Sequence, residues 1–151
     1  VNLSILESTA KSWEGTPYGY GQCKKGEGVD CTRYALMLLQ ASGALPAGLR
    51  IQPQPIKKRY GGRMPALIAS LKLEGCKDVA NGSLIIFENF CMGQPHLALM
   101  TYQGLTHSVV GPGVLFGDDI RQYKNTSFKV FKVLGHYKCG VLQPVKEIGN
   151  I

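Results

Sequence analysis

The stretch Asp30-Cys31-Thr32-Arg33-Tyr34-Ala35-Leu36-Met37-Leu38-Leu39-Gln40-Ala41 decides how the rest of the chain is read. From Tyr34 to Ala41 it is rich in strong helix formers. It is apolar on every face, which predicts a central buried helix rather than a surface one. Gly43, with Pro46 beyond it, marks the stop. The character of the chain changes at Asp30-Cys31-Thr32, and Asp30 is of a type that caps helix N-termini. Cys31 therefore opens a buried helix where a long glycine-rich loop ends. That loop holds Gly15-Thr16-Pro17-Tyr18-Gly19-Tyr20-Gly21 and continues through Gly26 and Gly28.

Upstream, Leu3, Ile5, Leu6, Ala10 and Trp13 predict a first helix over 3–13, with Asn2 or Ser4 as its cap. Downstream, residues 46–65 carry four prolines and several basic residues and read as a surface loop. Ala66 to Leu73 reads as a short third helix. From Ser83 onward the pattern is that of strands: Leu84–Phe87, Leu97–Tyr102, Leu105–Val110 and Phe128–Leu134. The second and third join through Gln103-Gly104 as a tight hairpin. Helices come first and strands follow, which predicts an α+β fold with a helix packed on an antiparallel sheet. Neither a repeat nor a long linker divides the chain, so a single domain is expected over 1–151.

Composition narrows the function. The chain has 151 residues, 44% of them hydrophobic and 18% charged, which excludes global disorder. The longest apolar run, Tyr34 to Leu39, is far short of the ~20 residues a membrane span needs. The chain begins at Val1 and shows no signal-peptide pattern. Seventeen lysines and arginines against ten acids give a net charge of +7, which favours polyanionic partners. The densest basic stretch is Lys57, Lys58, Arg59 and Arg63. No nucleic-acid-binding signature accompanies it, so nucleic acid is not an expected partner.

Five cysteines are present, Cys23, Cys31, Cys76, Cys91 and Cys139, without a CxxC pair, so no structural zinc site is expected. One reading is a functional thiol plus up to two disulfides from the other four. The other is five reduced cysteines, mostly buried. A thiol at a helix N-terminus gains nucleophilicity when its thiolate is stabilised there. An imidazole nearby serves as general base and then as general acid. His96 starts a strand right after Pro95, and His107 lies in the next strand across the hairpin. Cross-strand neighbours are only ~5 Å apart at Cβ, so His107 could orient His96. His136 has no such setting and reads as structural.

These blocks resemble the NlpC-type cell-wall cysteine peptidases, compact papain-like enzymes. The resemblance is carried by Gly15-Thr16-Pro17-Tyr18-Gly19-Tyr20-Gly21, by Asp30-Cys31-Thr32, by Asn81-Gly82-Ser83-Leu84-Ile85-Ile86-Phe87, and by His96-Leu97-Ala98-Leu99-Met100 followed by Gly104 and His107. It spans roughly residues 13–110, with order and spacing agreeing in all four blocks. It implies Cys31 as nucleophile, His96 as its base and His107 as the orienting third residue. Tyr18 would stand beside the thiol and help hold the oxyanion or the substrate. Asp30 would face the cleft and meet a free amino group, and the Cys31 N–H would serve an oxyanion hole. Without the resemblance, Tyr18 is an aromatic packed in a glycine loop, Asp30 is an N-cap, and Thr32 and Arg33 are helix surface.

The chain departs from the family pattern at several points. Thr32-Arg33 replaces Ser-Gly after the cysteine, Gln22 a glycine, Ser83 an aspartate and Ala98 a glycine. Arg33 would place a cation near the cleft, favouring an anionic group of the substrate, or on the far side of the helix.

The resemblance further implies hydrolysis of peptidoglycan stem peptides, typically at the γ-D-glutamyl bond to a diamino acid, with no cofactor and no metal. The setting would be the periplasm or cell envelope. A standalone domain of this size also resembles the amidase toxins that bacteria deliver into rivals, for which an immunity protein is the expected partner. Two alternatives stand beside this reading. One is a papain-like acyltransferase or deamidase; the other is a basic, non-catalytic binding domain in which Cys31 is structural.

Overall fold

The computed structural model describes residues 1–48, 71–91 and 94–136, Cys91 and His136 by their backbone alone. Helix α1 (Leu3–Trp13) is capped by Asn2, whose side chain accepts the Ile5 N–H at 3.0 Å. Helix α2 (Cys31–Ala41) is capped by Asp30, which accepts the Arg33 N–H at 2.8 Å. From Cys31 to Leu39 every residue of α2 is buried except Met37, which is half-buried. That is the packing an apolar circumference demands. Its end is marked by Gly43 in the left-handed region (φ 85°), where glycine has no steric penalty. Two short strands, β1 (Cys23–Lys24) and β2 (Gly28–Val29), pair just ahead of α2.

Six strands follow: β3 (Leu71–Cys76), β4 (Leu84–Cys91), β5 (Gln94–Thr101), β6 (Gly104–Val109), β7 (Gly113–Asp118) and β8 (Phe128–His136). They form one antiparallel sheet in the order β3-β8-β4-β5-β6-β7. A 3-10 turn (Ile120–Tyr123) links β7 to β8. The expected α+β class and the four expected strands are present. Two elements differ from expectation. Leu71 to Leu73, read as the end of a helix, begin strand β3, because their partner β8 lies far along the chain. Strand β7 was not expected at all. Residues 49–70, with the basic stretch at Lys57, and 137–151 lie outside the described residues.

Period-2 alternation gives the sheet two faces. Leu84, Ile86, Leu97, Leu99, Val114 and Val133 pack against α1 and α2. Ile85, Phe87, Ala98, Leu105 and Val130 form a second cluster on the other face, with Ile120 and Tyr123 against it. Each fully buried aliphatic side chain contributes about 1.5–3 kcal/mol, so the first face, with both helices on it, dominates. The outer edge of β7 is closed by the glycine loop. Gly15 N–H donates to the Val114 carbonyl (3.0 Å), and Val114 N–H donates to the Thr16 carbonyl (2.8 Å). Gly113 (φ 79°) sits so close to Thr16 that a Cβ there would collide with the Thr16 carbonyl oxygen.

No helix among the described residues is long and apolar enough to cross a membrane. Cys23, Cys31 and Cys76 carry free thiols, so the two-disulfide arrangement does not hold.

Candidate active site

Cys31 occupies the first position of α2, where a helix has backbone N–H groups without intrahelical partners. Backbone hydrogen bonds tie down the approach to it. Val29 N–H donates to the Pro17 carbonyl (3.0 Å) and Gly19 N–H to the Val29 carbonyl (3.2 Å). These bonds set the half-buried Tyr18 beside Val29 in a parallel bridge. Gln22, standing where the family pattern has glycine, lays its carboxamide against Gly19 and Gly28, so a Cβ at either would have to push it aside.

Asp30 is closed off from solvent and fully engaged. Its Oδ1 accepts the Arg33 N–H, and its Oδ2 accepts the Gly21 N–H and the Arg33 guanidinium, each at 2.8 Å. Arg33 is itself entirely buried. This corrects two expectations. Arg33 lies neither on the helix surface nor in a cleft, because Asp30 one turn earlier supplies a buried counter-charge. Asp30 does not face a substrate amine, because its oxygens already hold a cation and two backbone N–H groups. Burial holds the Asp30 carboxyl above its ordinary value, and Arg33 together with the two N–H donors offsets only part of that rise. Thr32 is buried as well, not surface, with its hydroxyl 3.9 Å from the Cys31 sulfur.

The helix start does not give a stabilised thiolate at rest. Burial, then the Asp30 carboxylate, pushes the Cys31 thiol up from 9.0 to about 11. Hydrogen bonds from the Leu97 N–H and from Thr32 pull the other way without winning. The thiol is therefore protonated near neutral pH, and activating it requires a base.

Two imidazoles lie on the neighbouring strands. The β5–β6 ladder runs from Thr101↔Gly104 only to Leu99↔Thr106. Beyond that point the two strands part, and the Leu97 N–H bonds the Cys31 sulfur. The side chains of His96 and His107 meet across the parting, with His96 Nε2 at 2.8 Å from His107 Nδ1. Both are buried. Burial, then the neighbouring imidazole, lowers His96 well below the ordinary histidine value. Burial also lowers His107, against the raising effect of Asp118. The sulfur's hydrogen bonds go to Thr32 and Leu97 rather than to an imidazole.

Four residues around the pair were not anticipated. Phe90 stacks flat on His96, with centroids 4.0 Å apart and planes 14° apart. It gets there because the β4–β5 register shifts between Phe87 and Cys91, and such irregularities re-aim side chains. Asp118, at the end of β7, accepts from His107 Nε2 at 2.7 Å. Tyr123 donates its hydroxyl to the same Asp118 oxygen, and Gln122 donates its amide to the other. No local signal marks these residues, since the partners lie on separate strands. His136 ends β8, and its side chain is outside the description. Among the described residues no cluster of histidine, cysteine and acidic side chains could hold a metal ion.

Neither a protein-family model nor a curated protein matches the sequence. The structure is similar to the crystal structure of the NlpC/p60 domain of peptidoglycan hydrolase SagA. The TM-score is 0.55 and the identity 20%, over 86% of this chain and 98% of that one. At that identity the likeness establishes the fold, which is the NlpC/p60 type.

Proposed function

We propose that the protein is a cysteine peptidase that cleaves amide bonds in peptidoglycan stem peptides, with the γ-D-glutamyl bond to a diamino acid as its target. The observation that carries this reading is the hydrogen-bonded His96–His107 pair. Cys31 opens the helix packed on the same sheet, and its sulfur takes the N–H of Leu97, the residue next to His96, in a fold shared with a peptidoglycan hydrolase domain.

In this mechanism His96 takes the thiol proton as Cys31 attacks the amide carbonyl. The Cys31 N–H holds the developing oxyanion, with Tyr18 beside it. His96 then passes its proton to the leaving amine, and water releases the acyl-enzyme. His107 orients His96. Asp30 and Arg33 shape the loop and the helix start instead of touching substrate, and Thr32 bonds the sulfur. Activity is expected where peptidoglycan is found, in the cell envelope or periplasm.

The test is a digest of purified peptidoglycan and soluble muropeptides by wild type and Cys31→Ala, read by mass spectrometry. New fragments from wild type alone are expected, and their masses name the bond. An absence of fragments across several wall chemistries would turn the reading toward an acyltransferase or a binding domain.

A further inference from the structure

We propose that Asp118 is a positioning residue, which acts through His107 to decide which nitrogen of His96 is free to accept the thiol proton. This rests on the reading of Cys31, His96 and His107 as the reacting set.

The argument is one of donors and acceptors. A carboxylate only accepts, and a neutral imidazole has one N–H and one acceptor nitrogen. His107 Nε2 lies 2.7 Å from Asp118 Oδ2, so the His107 proton sits on Nε2. His107 Nδ1 is then an acceptor. His96 Nε2, 2.8 Å away, must donate to it. The nitrogen of His96 left with a lone pair is Nδ1. Burial keeps both rings neutral, so the chain of bonds has one consistent direction. Without Asp118 the reverse direction becomes available, with protons on His107 Nδ1 and His96 Nδ1, and in that form His96 has no base to offer the thiol.

Asp118 is itself held. Tyr123 donates to Oδ2 and Gln122 to Oδ1, both from the 3-10 turn that starts directly after the Asp119 cap. Tyr123 also sets its ring edge-on to His107, with planes 89° apart. The carboxylate thus cannot turn away without losing two further donors. In the activating step the Sγ–H bond breaks and an Nδ1–H bond forms on His96. The Nε2–H bond of His96 to His107 stays in place, no proton moves to Asp118, and one ring, His107, separates the new imidazolium from the Asp118 carboxylate.

The experiment uses the full chain labelled with 15N-histidine, which has only three histidines to resolve. Two-bond proton–nitrogen spectra report the tautomers, and peptide mass spectrometry reports the rate of Cys31 alkylation by iodoacetamide. The wild type should show His96 and His107 both protonated on Nε2. Asp118→Ala should lose that form at His107 and slow Cys31 alkylation by about 100-fold, the scale of a lost general base. A folded Asp118→Ala that keeps either the tautomers or the wild-type rate overturns the proposal. The wild-type spectrum needs no variant, and a His107 proton on Nδ1 overturns it as well. Neither readout involves peptidoglycan. A protein that cuts no wall yet shows the coupled changes refutes the proposed substrate, while one that cuts wall without them refutes only the role of Asp118.

Discussion

Arg33 and Asp30 form an ion pair at 2.8 Å inside the protein, with side chains 0% and 1% exposed, one helical turn apart at the start of α2. Breaking such a pair from one side leaves an uncompensated buried charge, which costs about 3–5 kcal/mol. Arg33→Met should therefore destabilise the protein by about that much. Asp30→Asn combined with Arg33→Met should recover part of the loss, since both charges are gone. Urea unfolding of the two variants beside wild type checks this, and a single variant as stable as wild type would show that the pair is not structural.

Alkaline stability should depend on Cys31. Its thiol titrates at about 11 when folded against 9.0 ordinarily. The folded state therefore prefers the protonated form. The associated stability is fully present below pH 9 and is lost as pH rises through 11. Cys31→Ala should flatten the fall in unfolding free energy across that window. Equal slopes in both proteins would mean that the thiol is not desolvated in solution.

Acid stability should depend on the imidazole pair. Both rings are held below the ordinary value of 6.5, so the unfolded chain takes up protons first. Stability is present above pH 6.5 and declines as pH falls below it. His107→Gln should reduce that decline. The check is the midpoint of urea unfolding measured from pH 7.5 down to about 4.5, the low side of the histidine range.

Phe90→Ala should admit water to the His96 face. Burial is the leading cause of the lowered His96 titration, so removing the stacked ring should raise it toward the ordinary value. NMR titration of His96 reads the shift directly. An unchanged titration would show that the sheet alone, without Phe90, keeps this imidazole dry.

Much of the site was legible because its parts are local. An Asp-Cys step before an all-apolar helix identifies both cap and thiol. Short apolar runs mark β4, β5 and β6, clean alternation marks β8, and the hairpin places His107 beside His96. The missed parts depend on distant partners. Lys72 and Glu74 in β3 look like surface helix positions until β8 pairs with them. Strand β7 has glycines near both ends and reads as a turn. Asp118 beside Asp119 looks like an ordinary polar loop start, and only the β6–β7 register brings it to His107. Arg33 was misread although a signal was present: an acid three residues earlier on the same helix face.

The order of the parts along the chain is also an order in time. The thiol belongs to α2, while the imidazoles and the carboxylate behind them belong to β5, β6 and β7, which leave the ribosome later. During synthesis the emerging chain carries Cys31 before His96 and His107 exist beside it. On the proposed mechanism the site is armed only once the sheet has closed as far as Asp118, so a truncated or stalled product would carry the thiol without that partner.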